Sequence, residues 1–206
     1  MSHAGHDPDH SAGRGADLRV VSAFAALQAD AVRTLERWGA PDRHQERLRT
    51  AYLEHLADHP DGAAKAGPPA HLTASCLVLD HTGEHALLTH HRRAGQWFQF
   101  GGHLEPADPS VWHAASREAR EESGIDDLAP LADPVQLDRH RLVGAFVSCR
   151  EHLDIRFAAI APVGATPRVS AESNAVRWWP VAALPEGTRD ELTSLASAAG
   201  AALGLV

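Results

Sequence analysis

Residues 117 to 125 read Arg-Glu-Ala-Arg-Glu-Glu-Ser-Gly-Ile, which spaces Glu118, Glu121 and Glu122 three and four residues apart or side by side. On a helix these positions are neighbours, so three carboxylates share one face. Like charges so placed disfavour a helix by about 0.2–0.5 kcal/mol per pair, and a divalent cation reverses that sign. Hard oxygen ligands suit Mg²⁺ or Mn²⁺. Mg²⁺ usually takes only one or two protein carboxylates and leaves positions for water and a substrate phosphate. The pattern is therefore that of a catalytic metal site. Arg117 precedes Glu121 by four residues and can hold it, while Val111, Ala115 and Ala119 supply the opposite, packed face. A merely solvated Glu-rich face is the plain alternative. Against it stands Gly101-Gly102 upstream, where glycine permits close backbone approach and can free a carbonyl to join the carboxylates on one metal.

Other residues carry weaker chemical signals. Arg92, Arg93, Arg141 and Arg156 can take phosphates, and Trp97 or Phe98 can stack a base, with surface salt bridges and core packing as equal alternatives. His71, His90, His91, His103 and His152 fall at or near predicted strands or the Gly101-Gly102 turn. Each alone is more often structural or substrate-facing than a ligand. Yet His103 follows the two glycines, and His152 shares a strand face with Asp154, so a second, nitrogen-containing metal site is geometrically open. His3, His6 and His10 sit in a Gly/Asp/Ser-rich start, which reads as a flexible tail over residues 1–15.

The elements needed to position these groups are visible in the pattern. Val20, Phe24, Leu27, Ala31, Leu35 and Trp38 predict an amphipathic helix ended by Gly39. Leu48, Tyr52 and Leu56 predict a second helix, with Pro41 in its first turn, stopping before Pro60. Together they form a helical hairpin over 16–62, serving as added core, a cap or a homodimer interface. A Gly/Ala/Pro-rich linker over 62–69 then leads into the main domain, 70–206. Strands are expected over 72–80, 85–91, 135–142, 145–148, 152–158 and 175–181, and a helix over 110–123 with Gly124 at its end. In the strand at 152–158, Leu153, Ile155 and Phe157 alternate with His152, Asp154 and Arg156, predicting one core face and one face toward a cleft. Leu192, Leu195, Ala199 and Leu203 stripe a C-terminal helix.

Composition bounds the partners. The 206 residues carry 19 Lys+Arg against 27 Asp+Glu, a formal charge of −8, so bulk nucleic-acid binding is disfavoured. Charged or His residues break every apolar run before it reaches membrane-spanning length, so no membrane partner is expected. Cys76 and Cys149 form neither a CxxC pair nor a disulfide framework, and a reducing cytoplasm is the expected compartment.

Residues 117–125 resemble the signature of the Nudix hydrolase family: Gly, five residues, Glu, seven residues, then Arg-Glu-apolar-any-Glu-Glu-any-Gly-apolar. The resemblance extends from about residue 70 to 185, through Arg92, Arg93 and Trp97, Gly101-Gly102, and the Glu172–Pro185 segment with Arg177-Trp178. One departure stands out. Six residues after Gly102 comes Asp108 rather than Glu, and eight residues separate it from Arg117. Either Asp108 or Glu105 takes the place of that first Glu. The resemblance implies an α/β/α sandwich with a mixed sheet, preceded here by the helical hairpin. It implies hydrolysis of a small-molecule nucleoside diphosphate linked to another moiety, with Mg²⁺ or Mn²⁺ as cofactor. Carried over by position, Glu118 and Glu122 are the principal metal ligands, Glu121 a further ligand or water activator, and Gly101 a carbonyl ligand. Arg117 orients carboxylates, and Glu172 is the loop candidate for general base. Arg92, Arg93, Trp97 and Arg156 are the substrate-binding candidates.

Two alternatives accompany this reading. More faintly, the chain is similar to isopentenyl diphosphate isomerase, with His71, His103 and Asp154 near that relative's metal-ligand positions but Gly101 where the isomerase has cysteine. The other is a non-catalytic nucleotide-binding sensor on the same fold, against which the intact Glu118, Glu121 and Glu122 argue.

Overall fold

The computed structural model describes residues 17–142, 149–186, 188 and 191–205. The expected tail and the expected strand at 145–148 lie outside these residues. Helices α1 (Leu18–Arg37) and α2 (Arg43–Asp58) form the N-terminal pair. Asp42 accepts from the backbone N–H of His44 and Gln45 at 2.7 and 2.8 Å, which fixes the start of α2. Pro41 therefore lies before the helix and not in its first turn, because the Asp42 cap sets the start. Leu27, Ala31 and Leu35 of α1 and Tyr52 and Leu56 of α2 are buried in the same apolar cluster as Leu72, Phe100 and Leu153.

The segment expected as a linker is packed. Ala63 and Ala64 are fully buried, the Leu72 N–H donates to the Gly62 carbonyl at 2.8 Å, and the Gln28 amide bonds Leu56, His59 and Ala63 backbone groups. Small residues read as a linker in sequence serve here to admit close packing against α1.

Seven strands follow: β1 (Ala70–Leu79), β2 (His85–His91), β3 (Gln96–Phe98), β4 (Phe100–His103), β5 (Gln136–Arg141), β6 (Glu151–Ile160) and β7 (Ser173–Pro180). They form one mixed sheet. β1 runs parallel to β6 along its whole length, while β4 and then β2 pair antiparallel on its other edge. β3 and β7 both pair with β2, and β5 with β6. Helix α3 (Val111–Ser123) joins α1 and α2 on one face, and α4 (Glu191–Ala202) covers the other, giving a mixed sheet between helical layers. With both faces covered, β1 has no solvent-facing row and reads as a near-continuous apolar run.

Covering also changes the reading of β6. Leu153 through Ala159 are all buried, so the row bearing Asp154 and Arg156 faces no open cleft. These two are 3 % and 2 % exposed and are paired with each other through Arg156 Nε and Asp154 Oδ2 at 3.0 Å. Thr73 and Ser75 donate to the same carboxylate. Mutual charge compensation lets the polar row enter the interior.

The helical pair is bonded to the sheet and to α3. Gln45 uses its amide as a strand would, accepting from the Leu137 N–H at 2.7 Å and donating to its carbonyl at 3.1 Å, while Tyr52 Oη donates to the Asp138 carbonyl at 2.6 Å. These contacts cover β5, the sheet's exposed edge. Asp30 Oδ2 on α1 accepts from the Val111 N–H at 2.9 Å, satisfying one of the free amides at the start of α3. Asp30→Ala is expected to lower stability by about 1–2 kcal/mol, read as a shifted urea midpoint with unchanged slope. An unshifted midpoint would show that this contact contributes nothing.

Candidate active site

Helix α3 starts at Ser110, whose hydroxyl accepts from the His113 N–H at 3.2 Å, and ends at Gly124 in the left-handed conformation at φ 67°. Its buried Ala114, Ala115 and Ala119 bring it close to β1 and β4. The approach is tightest at the two glycines of β4. A Cβ on Gly102 would lie 2.6 Å from Glu118 Oε1, and one on Gly101 would collide with the Ser75 side chain on β1. Only glycine leaves room for the carboxylate of Glu118 to lie on the strand.

The helix does not present its three carboxylates equally. Glu122 is 6 % exposed and its Oε2 accepts from the Gly101 N–H at 3.0 Å, and the side chain of Glu118 is also largely buried, whereas that of Glu121 is 62 % exposed at the rim. Burial raises the Glu118 carboxyl above its usual range against the pull of Arg117. Burial pushes Glu122 up to about 8, against the Gly101 hydrogen bond, with repulsion from Glu118, Glu172 and Glu121 adding to it. Among the described residues Glu122 has no cationic partner. Two adjoining buried carboxylates, one without an ion pair, form a hard-oxygen set that fits a divalent cation.

Arg117 is organised by Asp108. Its Nε and Nη2 meet Asp108 Oδ1 and Oδ2 at 2.9 and 3.0 Å, its Nη1 meets Glu118 at 2.9 Å and Glu121 at 3.4 Å, and Nη2 also donates to the His103 carbonyl at 3.2 Å. The bidentate contact with Asp108 holds the guanidinium firmly in its charged form. Asp108 also accepts from the Glu105 N–H at 2.8 Å, closing the loop that is one residue longer than the signature. Of the two acids left open by sequence, Asp108 is thus the buried partner of Arg117, and Glu105 stays exposed at 3.9 Å from it.

The remaining candidates separate by face. Glu172 lies just before β7, and its charge bears on both Glu118 and Glu122. Its carbonyl accepts from the Arg92 N–H at 3.0 Å. Arg92 and Arg93 are exposed in the turn between β2 and β3. Trp97 packs on the α4 side, edge-on to Trp179 at 5.3 Å, and shares a small pocket of ≈ 50 Å³ with Phe98, Gln99, His140 and Arg156. The structure does not bring it to the carboxylates. Arg156 is not a phosphate-facing residue: Nε, Nη1 and Nη2 are committed to Asp154, Gln136 and Asp138, and the side chain is 2 % exposed.

The histidines also divide. His71, His103 and His152 converge, joined by Cys149 rather than by Asp154, which is held by Thr73, Ser75 and Arg156. Burial, chiefly, lowers His71 and takes His103 down to about 3 and His152 to about 4, which favours the neutral form of each ring. Cys149 was missed in the sequence because no second cysteine lies near it; His152, three residues on, is the signal that could have found it.

The fold and the pair of buried carboxylates invite comparison with known proteins. A family model described as the NUDIX domain matches residues 69–197, more than half of the chain. The chain belongs to the Nudix family. Among solved structures, a Nudix-family hydrolase from Clostridium perfringens is similar at 21 % identity and TM-score 0.52, covering 65 % of this chain and 97 % of that one. A C. elegans Ap4A hydrolase in a binary complex is similar at 20 % identity and TM-score 0.53, with the same coverage. The E. coli dihydroneopterin triphosphate pyrophosphohydrolase is similar at 18 % identity and TM-score 0.51, covering 61 % and 90 %. No curated protein matches the chain. As a Nudix protein that keeps the helix part of the signature over residues 117–125, the chain is a hydrolase.

The raised Glu122 carboxyl gives a signed expectation. Its proton is held up to about pH 8 in the folded protein and only to the ordinary value of 4.5 when unfolded. The stability it supplies is therefore full below the unfolded value and is lost as pH rises through the folded one. Glu122→Gln, which keeps the shape without the charge, is expected to melt higher than wild type in chelator above pH 8. The two should converge as pH falls toward 5. A variant that melts lower at every pH would contradict the buried-carboxylate assignment.

Proposed function

We propose that this Nudix hydrolase cleaves the diphosphate linkage of a nucleoside diphosphate joined to another moiety, using Mg²⁺ or Mn²⁺. The observation that carries the reading is the pair of buried carboxylates, Glu118 and Glu122, laid against a strand that glycine keeps bare. The similar folds named for Ap4A and for dihydroneopterin triphosphate support a phosphate-rich small molecule as substrate. The net charge of −8 argues against a nucleic-acid partner. No helix among the described residues is long and apolar enough to cross a membrane. Both cysteines are free thiols, in keeping with a reducing cytoplasm.

Glu118 and Glu122 would hold the cation, with Glu121 at the rim and the Gly101 carbonyl as further ligands. When bound, the cation neutralises phosphate charge and makes water acidic enough to act as a nucleophile near neutral pH. The chain's own residues do the rest. Arg117, fixed by Asp108, holds Glu118 and steadies Glu121. Glu172, whose charge reaches the cluster from the loop before β7, takes the proton from the attacking water. Attack in line with the breaking P–O bond leaves a phosphate on each product, and no covalent intermediate on the protein is needed. Arg92 and Arg93, exposed at the β2–β3 turn, would meet the outer phosphates or sugar of the substrate.

The test is a panel of ADP-ribose, nucleotide sugars, dinucleoside polyphosphates and oxidised nucleotides with Mg²⁺ or Mn²⁺, reading phosphate after phosphatase coupling. At least one compound should turn over, and Glu122→Gln should lower kcat by about 10²-fold or more. A loss below tenfold would overturn the ligand assignment. Ligand binding unchanged by Glu118→Gln, with no turnover of any compound by wild type, would favour the sensor.

A further inference from the structure

Adjacent residues of β4 face opposite sides of the sheet. Gly102 faces α3 and Glu118, so His103 projects on the α4 side, away from the carboxylates. There it meets His71 from the start of β1, His152 from β6, which stands opposite His71 in register, and Cys149 from the segment leading into β6. Their ligand atoms all lie within 4.8 Å of one another. His71 Nε2 is 3.1 Å from His103 Nε2. Cys149 Sγ is 3.3 Å from His71 Nε2, 3.2 Å from His152 Nε2 and 4.0 Å from His103 Nε2.

We infer that His71, His103, Cys149 and His152 form a closed four-coordinate site for a Zn²⁺-class transition metal, separate from the carboxylate site on the other face. Zn–N bonds of about 2.0–2.1 Å and Zn–S bonds of about 2.3 Å require tetrahedral edges near 3.3 Å between nitrogens and 3.6 Å between nitrogen and sulfur. The nitrogen–nitrogen separation of 3.1 Å lies just inside the first value, and the nitrogen–sulfur separations of 3.2, 3.3 and 4.0 Å bracket the second. The His71 Nδ1–H donates to the Pro68 carbonyl at 3.0 Å, and since a carbonyl only accepts, Nε2 is the nitrogen left to turn inward as a ligand. Nε2 faces another ring nitrogen and a sulfur. Each hydrogen bond there joins only two of the four atoms, whereas a cation at the centre is shared by all of them. Nitrogen and sulfur donors select zinc-like metals over Mg²⁺.

Binding replaces the thiol proton of Cys149, released to solvent, with a metal–thiolate bond. With four protein ligands no position is open to substrate, so the site is a clasp across β4, β1 and β6 and not a second catalytic centre. It also holds His103, whose carbonyl receives Arg117 Nη2. The metal therefore steadies Arg117 from behind the sheet.

The full untagged chain, incubated with zinc and desalted, should carry about one zinc per chain by plasma mass spectrometry. The His3→Ala/His6→Ala/His10→Ala and Glu122→Gln variants should keep it, which separates this site from the terminal histidines and from the Mg²⁺ reading. Cys149→Ser and His152→Ala should lose it by about tenfold or more. Cobalt in the wild type should show thiolate-to-metal charge-transfer absorption, a readout that needs no variant to fold. A wild type that retains neither metal, a cobalt spectrum without that absorption, or full zinc retention by the Cys149→Ser/His152→Ala double variant would each overturn the site.

Discussion

The close approach of α3 to the bare backbone of β4 is the constraint on which the rest depends. Gly101 and Gly102 leave no volume for side chains on either face, so Glu118 lies on the strand and Glu122 takes a hydrogen bond from it. That contact removes two carboxylates from water, and their repulsion and desolvation are the free energy a cation recovers on binding. The alanines of the packed face, Ala114, Ala115 and Ala119, make the approach short enough. Asp30 on α1 and Ser110 fix where the helix begins, and hence which residues meet the glycines.

The opposite face carries its own charges by a different device. Arg156 is buried with Asp154 and Asp138 around it, and the Gln136 amide takes its remaining arm. Breaking one partner of such a set leaves a buried charge uncompensated, so the network ties β1, β5 and β6 together more by the penalty for disruption than by net attraction. The helical pair completes that side of the sheet edge. Gln45 and Tyr52 satisfy backbone groups of β5 that a strand would otherwise occupy, so the pair is integral to the core through contacts that no local pattern encodes.

What was legible in the sequence was what depends on local spacing. β2 falls on 85–91 as expected, α3 is shorter by its cap residue alone, and Gly124 ends it, because capping, glycine conformation and periodicity act within a few residues. The family follows from the same helix. Less legible was anything set by long-range burial. Arg156 alternates in sequence like a cleft residue, yet its surroundings come from strands β1 and β5, and only their approach shows that its charge is already matched. The face that Trp97 occupies was equally out of reach, since it depends on β3 register against β2. Glu121 shares a helical face with Glu118 and Glu122 in projection, but a helix turns 100° per residue and β4 covers only part of that arc.

Strand alternation lets one short strand present two donor sets without mixing them. Along β4, Gly102 opens toward oxygen ligands and His103 toward nitrogen and sulfur ligands, one residue and the thickness of the sheet apart. The two donor sets differ in type, so a hard cation would be sorted to one and a borderline cation to the other. The link between them is Arg117, which touches Glu118 and Glu121 on its own face and the His103 carbonyl at the strand end. A displacement of His103 therefore moves an acceptor of Arg117, and with it the carboxylates that the guanidinium positions. Asp108 shares Nη2 with that carbonyl and also takes Nε, while Nη1 is left to Glu118 and Glu121, so the guanidinium is the one body that joins the strand end, the loop and the helix carboxylates.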